Sequence, residues 1–259
     1  MALNKEIWVN DIQEALLPDN SFVTKGTDYS VFADNHQIHI PVEYGNVNVE
    51  IDRTVLPGTV GVQNDTEKVI TMHNFTTDPV RVYRPEDVEL SYDKRSVIVK
   101  KITDGLNQKI AEHALGILRS IGAQTGTNIL TILRNVAKTF DEGDYPEADR
   151  YVLLSADSYS KLLKELTDAQ TNAFLNVANA ATGVIGSIFG LNILKRSTLG
   201  ENVPAIAWHK RDYFYAISKP EVFSNESDPT FYGSVLSAAA RFGAYAPQTT
   251  TPEETGNGD

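Results

Sequence analysis

The sequence predicts an α+β fold, and three observations carry that prediction. Residues 37–84 read as extended chain. Residues 85–121 carry one helical stripe. Beyond them, short helices and short strands intermix up to residue 247.

The elements follow in chain order. Ile7, Trp8, Ile12, Ala15 and Leu16 recur at helical spacing and Pro18 ends the run, which predicts a short amphipathic helix over 4–17. Residues 18–36 are rich in Asn, Asp, Ser and Gly and read as an arm too thin to hold a core. Ile38, Ile40, Val42 and Tyr44 then alternate with other residues, a strand signature. Val47, Val49 and Ile51 continue on the opposite parity. A bulge or bend at Gly45-Asn46 would keep both halves facing one way. Pro41 has no N–H to give a ladder, so this strand belongs at a sheet edge. Leu56-Pro57-Gly58 and Asn64-Asp65 mark turns, and β-rich stretches cover Lys68 to Phe75 and Pro79 to Tyr83.

So long an extended excursion, with few large apolar side chains, needs cover. A two-stranded hairpin alone is marginal in water, and its open edges invite pairing with other chains. Either another subunit covers it or it folds onto its own domain, and the pattern leaves both readings open. Removal of residues 46–76 is expected to leave a folded chain.

The long helix rests on Tyr92, Val99, Ile102, Leu106, Ile110, Ile117 and Ile121, which lie on one stripe. Pro85 suits a first helical position, and Glu86, Asp87 and Glu89 suit the positive end of the dipole. Arg119 and Gly122 suit its C-terminal end. Even starting near Ser91 the helix would span about 45 Å at ~1.5 Å per residue, a strut across an extended domain. Gly105 costs it about 1 kcal/mol relative to Ala.

A second helix over 128–140 presents Ile129, Ile132, Leu133, Val136 and Phe140 on one face. Tyr151 to Leu154 reads as a short buried strand, and Ser155 as the N-cap of a helix through about Leu166. A helix over 169–180 leads into a glycine-marked run. Strands are predicted over 188–195, 204–209, 212–218 and 231–247. Residues 249–259 are polar and expected to be disordered.

Composition bounds the function. The chain has 259 residues, 41% of them hydrophobic, enough for a sizeable core. No apolar run approaches the ~18 residues needed to span a bilayer, and residues 1–17 do not form a signal peptide. The absence of cysteine excludes disulfides, thiolate metal sites and cysteine nucleophiles. A net charge of −11 argues against a phosphate-binding reader of nucleic acid. An acidic protein can still enclose DNA, repelling the polymer rather than holding it.

Catalytic and metal-binding patterns are hard to assemble. His36 and His39 stand three apart in extended chain and point to opposite faces, and His73, His113 and His209 form no HExxH motif. The acidic run 141–149 lacks the ligand order of an EF-hand and reads as a solvated turn. Gly183, Gly186 and Gly190 match no phosphate-binding motif; they read as backbone freedom where a strand begins and chains pack closely. No GxSxG surrounds Ser155, so a cap is the better reading than a nucleophile. Lys94, Arg95, Lys100 and Lys101 do not share one helix face, which favours solvated charge or subunit salt bridges over DNA binding. The expectation is a protein that is not an enzyme, with no catalytic, cofactor-binding or metal-binding residue and no cofactor.

The order of elements resembles the Hong Kong 97-type major capsid protein of tailed double-stranded DNA bacteriophages. Ile38-His39-Ile40-Pro41 is similar to that family's entry into its extended loop, and residues 85–121 to its spine helix. Arg150 to Ser155 with Tyr159 to Leu163 resembles its axial strand–helix pair. Gly183 to Ile193 resembles its glycine-marked strand. Ala205 to Arg211 and Tyr232 to Tyr245 resemble its closing strands. The resemblance covers roughly residues 4–247, and its specificity lies in order and spacing.

It implies an N-terminal arm (1–36), an extended β-hairpin loop (37–84), a peripheral domain with the spine helix (85–135), an axial domain (136–222), return strands of the peripheral domain (223–248) and a disordered tail (249–259). It implies a structural capsid protein that self-assembles as hexamers and pentamers into an icosahedral head. That head would enclose double-stranded DNA without sequence-specific binding, and no membrane. Met1 is followed almost at once by the arm, so the implied scaffolding protein is a separate chain, with a portal as a further partner. The implied location is the virion, with assembly in the bacterial host cytoplasm. The alternatives are an encapsulin-like nanocompartment shell and an acidic α+β enzyme.

Overall fold

Two sheets, joined by one long helix, account for most of the hydrophobic side chains that leave water. The structure is a computed structural model that describes residues 21–44, 52, 64–83, 94–228 and 233–247. The helix expected over 4–17, the strand carrying Val47, Val49 and Ile51, the bend at Gly45-Asn46, the turn at Leu56-Pro57-Gly58, the helix start at Pro85 with Tyr92, and the tail 249–259 lie outside the described residues.

The first sheet has six strands: β1 (Thr27–Asp28), β4 (His73–Thr76), β5 (Val80–Tyr83), β11 (Phe214–Ile217), β12 (Glu221–Asp228) and β13 (Gly233–Tyr245). β13 is the hub and pairs antiparallel with β11, β12, β4 and β5. Its burial alternates with period two. Leu236, Ala238, Ala240 and Phe242 are buried, while Val235, Ser237, Ala239 and Arg241 are half-buried. β12 has no sequence signal because Glu221, Ser224, Asn225, Glu226 and Asp228 dilute Val222 and Phe223. Pairing with β13 makes it a strand, an instance of sheet context outweighing propensity.

The second sheet has five strands in the order β6 (Ala123–Gln124), β10 (Ala205–His209), β7 (Arg150–Ser155), β9 (Leu191–Arg196), β8 (Gly186–Ile188). Only β7 and β9 run parallel. β7 is apolar on consecutive residues because both its faces are covered. Val152 and Leu154 pack with Ile129, Leu133, Leu162 and Phe174, from the helices α2 (Ile129–Glu142), α3 (Ala156–Glu165) and α4 (Asp168–Leu175). Leu153 faces the other way, into a core with Leu118, Ile206 and Trp208.

Ser155 caps α3 as the sequence predicts, and Asn128, expected inside its helix, caps α2. Ser155 Oγ accepts from the Ser158 N–H at 3.1 Å, and Asn128 Oδ1 from the Thr131 N–H at 2.7 Å. Helix α4 ends at Leu175, short of the predicted 180. The chain leaves the helix so that the Asn179 N–H donates to Val184 O at 2.8 Å, closing a bridge that a longer helix would forbid. The predicted strand over 188–195 is instead a hairpin, β8 to β9, turned at Phe189-Gly190.

Helix α1 (Lys94–Gly122) has 29 residues, about 43 Å at ~1.5 Å per residue. It crosses two cores in succession. Ile98, Val99, Ile102 and Leu106 pack on Val222, Leu236, Ala238 and Ala240 of the first sheet. Ile110, Ala114, Leu115 and Leu118 then enter a core shared by both sheets, with Leu194, Ile206 and Trp208 from one, Tyr215 and Phe242 from the other, and Tyr213 just before β11. Ile117 and Ile121 of the predicted stripe are half-buried against that core. Two arginine bonds tie the helix to β9 and the connection after it: Arg196 donates to Ala111 O at 3.2 Å, and Arg119 donates to Leu199 O.

Candidate assembly surfaces

A two-stranded ribbon stands apart from both sheets. β2 (Gln37–Tyr44) and β3 (Asn64–Thr71) pair antiparallel through eight residues each, from Gln37↔Thr71 to Tyr44↔Asn64. That ladder reaches about 26 Å at ~3.3 Å per residue. Pro41 sits where its missing N–H does no harm, since β2 has no neighbour but β3 among the described residues.

The base of the ribbon folds onto its own chain. Ile38, Ile40, Ile70 and Met72 are buried with Ala33 and Ala216. The approach to the sheet is close: a Cβ on Gly243 would stand 2.6 Å from Thr71 O and 2.8 Å from the Ile70 and Met72 side chains. Lys68 lies over the Phe214 ring, 5.5 Å from its centroid. Of the two ways to cover the excursion, self-cover therefore serves its base. The expected tolerance to removal of 46–76 is corrected for the same reason. That deletion takes Ile70 and Met72 from a core and β4 from the first sheet. The separable part ends near Asn64.

The acidic run 141–149 is organised from inside by a cation. Arg150 is 3% exposed. Its guanidinium donates to Asp141 Oδ1 at 2.7 Å, to Pro146 O at 2.9 Å and to Tyr145 O, and it lies over the Phe140 ring. A buried cation must have such partners. His209 closes the loop, its Nε2 3.0 Å from Ala148 O while its Nδ1 accepts from the Arg211 N–H at 3.1 Å. Sequence reasoning missed this core of charge. The one visible signal is a lone arginine opening an otherwise apolar strand.

The remaining candidates are dispersed. His39 pairs with Glu67 at 2.5 Å on the ribbon, and His36 is exposed. Lys100 and Lys101 are exposed on α1, and the side chains of Lys94 and Arg95 lie outside the described residues. Ser155 Oγ is engaged with Ser158 Oγ at 2.7 Å. Of the glycines, Gly183 and Gly190 have φ of 73° and 72°, and Gly186 lies against the Phe174 ring.

His73 of β4 and His113 of α1 do meet, ring centroids 4.9 Å apart, with Phe75 and Phe242 against His113. Burial, and to a lesser extent the His73 ring, holds the His113 pKa below the ordinary 6.5. The unfolded chain therefore takes up this proton first. The resulting stability is present above 6.5 and is lost as pH falls through 6.5 towards the lower folded value. Thermal melting from about pH 8 to about pH 5 is expected to show a larger loss for the wild-type chain than for His113→Gln. Equal losses would remove His113 from the account.

No family model matches this chain, and no curated protein does. Solved structures do. The chain is similar to the capsid of the cyanophage P-SCSP1u, with a TM-score of 0.66, 16% identity, and coverage of 88% of this chain and 85% of that one. It is similar to a chain of Mycobacterium phage Che8, with a TM-score of 0.63, 14% identity, and coverage of 92% and 87%. It is similar to the capsid of a native GTA particle, with a TM-score of 0.64, 12% identity, and coverage of 90% and 88%. The long helix, the two sheets and the projecting ribbon are thus the α+β Hong Kong 97-type capsid fold.

Proposed function

We propose that this chain is the major capsid protein of a tailed bacteriophage. In this reading it is a structural subunit, not a catalyst, that assembles with copies of itself into the icosahedral head enclosing double-stranded DNA. The single observation that carries the reading is the fold, matched over most of both chains in several phage capsids. The projecting ribbon adds a physical reason: its base is covered by its own chain, and an edge-exposed ladder beyond the base finds its partner on a neighbouring subunit.

Helix α2 runs unbroken through residue 135 and β12 through residue 222. We therefore draw the units from the two sheets. A peripheral unit comprises α1 and the first sheet, residues 21–36, 72–83, 94–122, 213–228 and 233–247. An axial unit comprises the second sheet and α2 to α4, residues 123–209. The ribbon comprises residues 37–44 and 64–71. Hexamers and pentamers, a separate scaffolding protein and a portal complete the assembly, which forms in the host cytoplasm and persists in the virion. The negative net charge of −11 fits a container that does not grip its DNA.

Electron microscopy of the purified chain, alone and with its scaffold, is expected to show hollow icosahedral shells. Only small globular particles under every assembly condition would sink this reading.

A further inference from the structure

From Ala169 to Leu194 the chain carries no Asp, Glu, Lys, Arg or His, and no other stretch runs as long without one. Part of that run is core, since Phe174, Val184, Leu191, Ile193 and Leu194 are buried. The rest is not. Residues 175–181 are exposed without a break, with Leu175 at 43% and Val177 at 54%. In a chain that is 22% charged, a solvated segment of this kind would ordinarily carry charge. Depletion of charge is instead the mark of a surface that meets another.

Phe189 stands at the tip of the neighbouring hairpin and is 43% exposed. Its turn has two residues, Phe189 with φ 53° and Gly190 with φ 72°. Positive φ at both positions is the primed turn that suits Asn-Gly. A phenylalanine there costs roughly 1–2 kcal/mol of backbone strain. Within one copy its ring meets the Arg134 guanidinium, 5.6 Å from the centroid, an exposed contact worth about 0.5–1 kcal/mol. The ring also divides two open grooves, one lined by Ala137, Lys138, Asp141 and Glu142, the other by Leu130, Leu166 and Ala173. A strained, exposed aromatic between two grooves points outward to a partner.

We propose that residues 175–181 and Phe189 form a contact between copies of this chain, with Phe189 as its apolar anchor; the proposal rests on the capsid reading above. The occupant is a second copy because of charge. Copies of net charge −11 repel wherever acid faces acid. Closed symmetry places the same patches in every contact. A charge-free patch is a surface that such copies can bring together without that cost. A basic partner would be met by acids and a nucleic acid by lysines and arginines, and residues 175–181 offer neither.

The test uses the full-length chain and two variants. Phe189→Asn places Asn-Gly in the primed turn and removes the anchor. Ala180→Glu adds a like charge to an exposed position. Both are expected to melt, unassembled, no lower than wild type. Both are expected to raise the concentration needed for shell formation at least about tenfold. For Ala180→Glu, about 1 M NaCl should restore assembly, because the screening length then falls to ~3 Å. Wild-type shells alongside variants that assemble equally well would overturn this contact and leave the capsid reading standing. A wild-type chain that never forms shells would overturn both. Loss of assembly in Phe189→Asn with a lowered melting temperature would assign Phe189 to the hairpin alone and overturn its role as anchor.

Discussion

Replacing residues 45–63 by Asn-Gly, so that Tyr44 joins Asn64 through a two-residue turn, is expected to abolish shell formation while leaving the chain folded. All eight ladder positions on each strand survive, from Gln37↔Thr71 to Tyr44↔Asn64. Ile38, Ile40, Ile70 and Met72 keep their places in the core with Ala33 and Ala216. A primed Asn-Gly turn matches the twist of the paired strands. A shorter loop also costs less closure entropy, about 0.6 kcal/mol for each halving. Thermal melting of the unassembled variant should therefore match or exceed wild type. On the proposed capsid reading assembly should fail outright, because the intersubunit contact expected of the replaced residues is lost, and obligate interfaces bury upwards of ~2,000 Å². Normal shells from this variant would show that residues 45–63 make no intersubunit contact that matters.

What was legible in the sequence was what is local. Val99, Ile102, Leu106 and Ile110 lie at helical spacing because they lie on one face of α1, and periodicity reports that directly. Ser155 was legible as a cap for the same reason, since its partner is three residues away. Pairing was not local. β4 and β5 read as part of the excursion, yet both belong to the first sheet, and their partners on β13 lie 150 or more positions downstream. Nothing in His73 to Thr76 announces that. The choice between a neighbour and self-cover stayed open until the ribbon's base was seen against Gly243 and Ala216. Arg150 and Phe189 were illegible for a different reason. Each breaks a local rule, a cation in a core and an aromatic at positive φ, and the cation is explained only by groups that the fold brings to it.

Gly122→Ala is expected to destabilise the unassembled chain by about 3 kcal/mol, where a simple helix terminator would predict little change. Its sequence position suits a C-terminal cap just beyond the helix. In the fold it is the last residue of α1, with a different task. A Cβ at residue 122 would stand 1.9 Å from Ala207 O and 2.9 Å from the Ala207 carbonyl carbon. These are backbone atoms, so no rotamer relieves the clash. β10 cannot retreat easily, being paired to β6 on one side and β7 on the other. The helix cannot lift easily either, with Leu118 fully buried and Arg119 bonded to Leu199 O. Overpacking against fixed neighbours costs about 1–3 kcal/mol and sometimes more, against a gain in helix propensity of about 1 kcal/mol. Because the contact is with backbone, the cost belongs at or above the top of that range. A loss of that size corresponds to about 6–12 °C in melting temperature for a chain of this length. Gly105→Ala supplies the opposite sign on the same helix. Nothing lies within 4 Å of its added Cβ, so only the propensity gain of about 1 kcal/mol remains and the melting temperature should rise by about 2–4 °C. Melting both variants side by side separates the two roles a helical glycine can have. A Gly122→Ala chain that melts at or above wild type would mean that α1 and β10 can part without cost, and that the join between the long helix and the second sheet is held elsewhere.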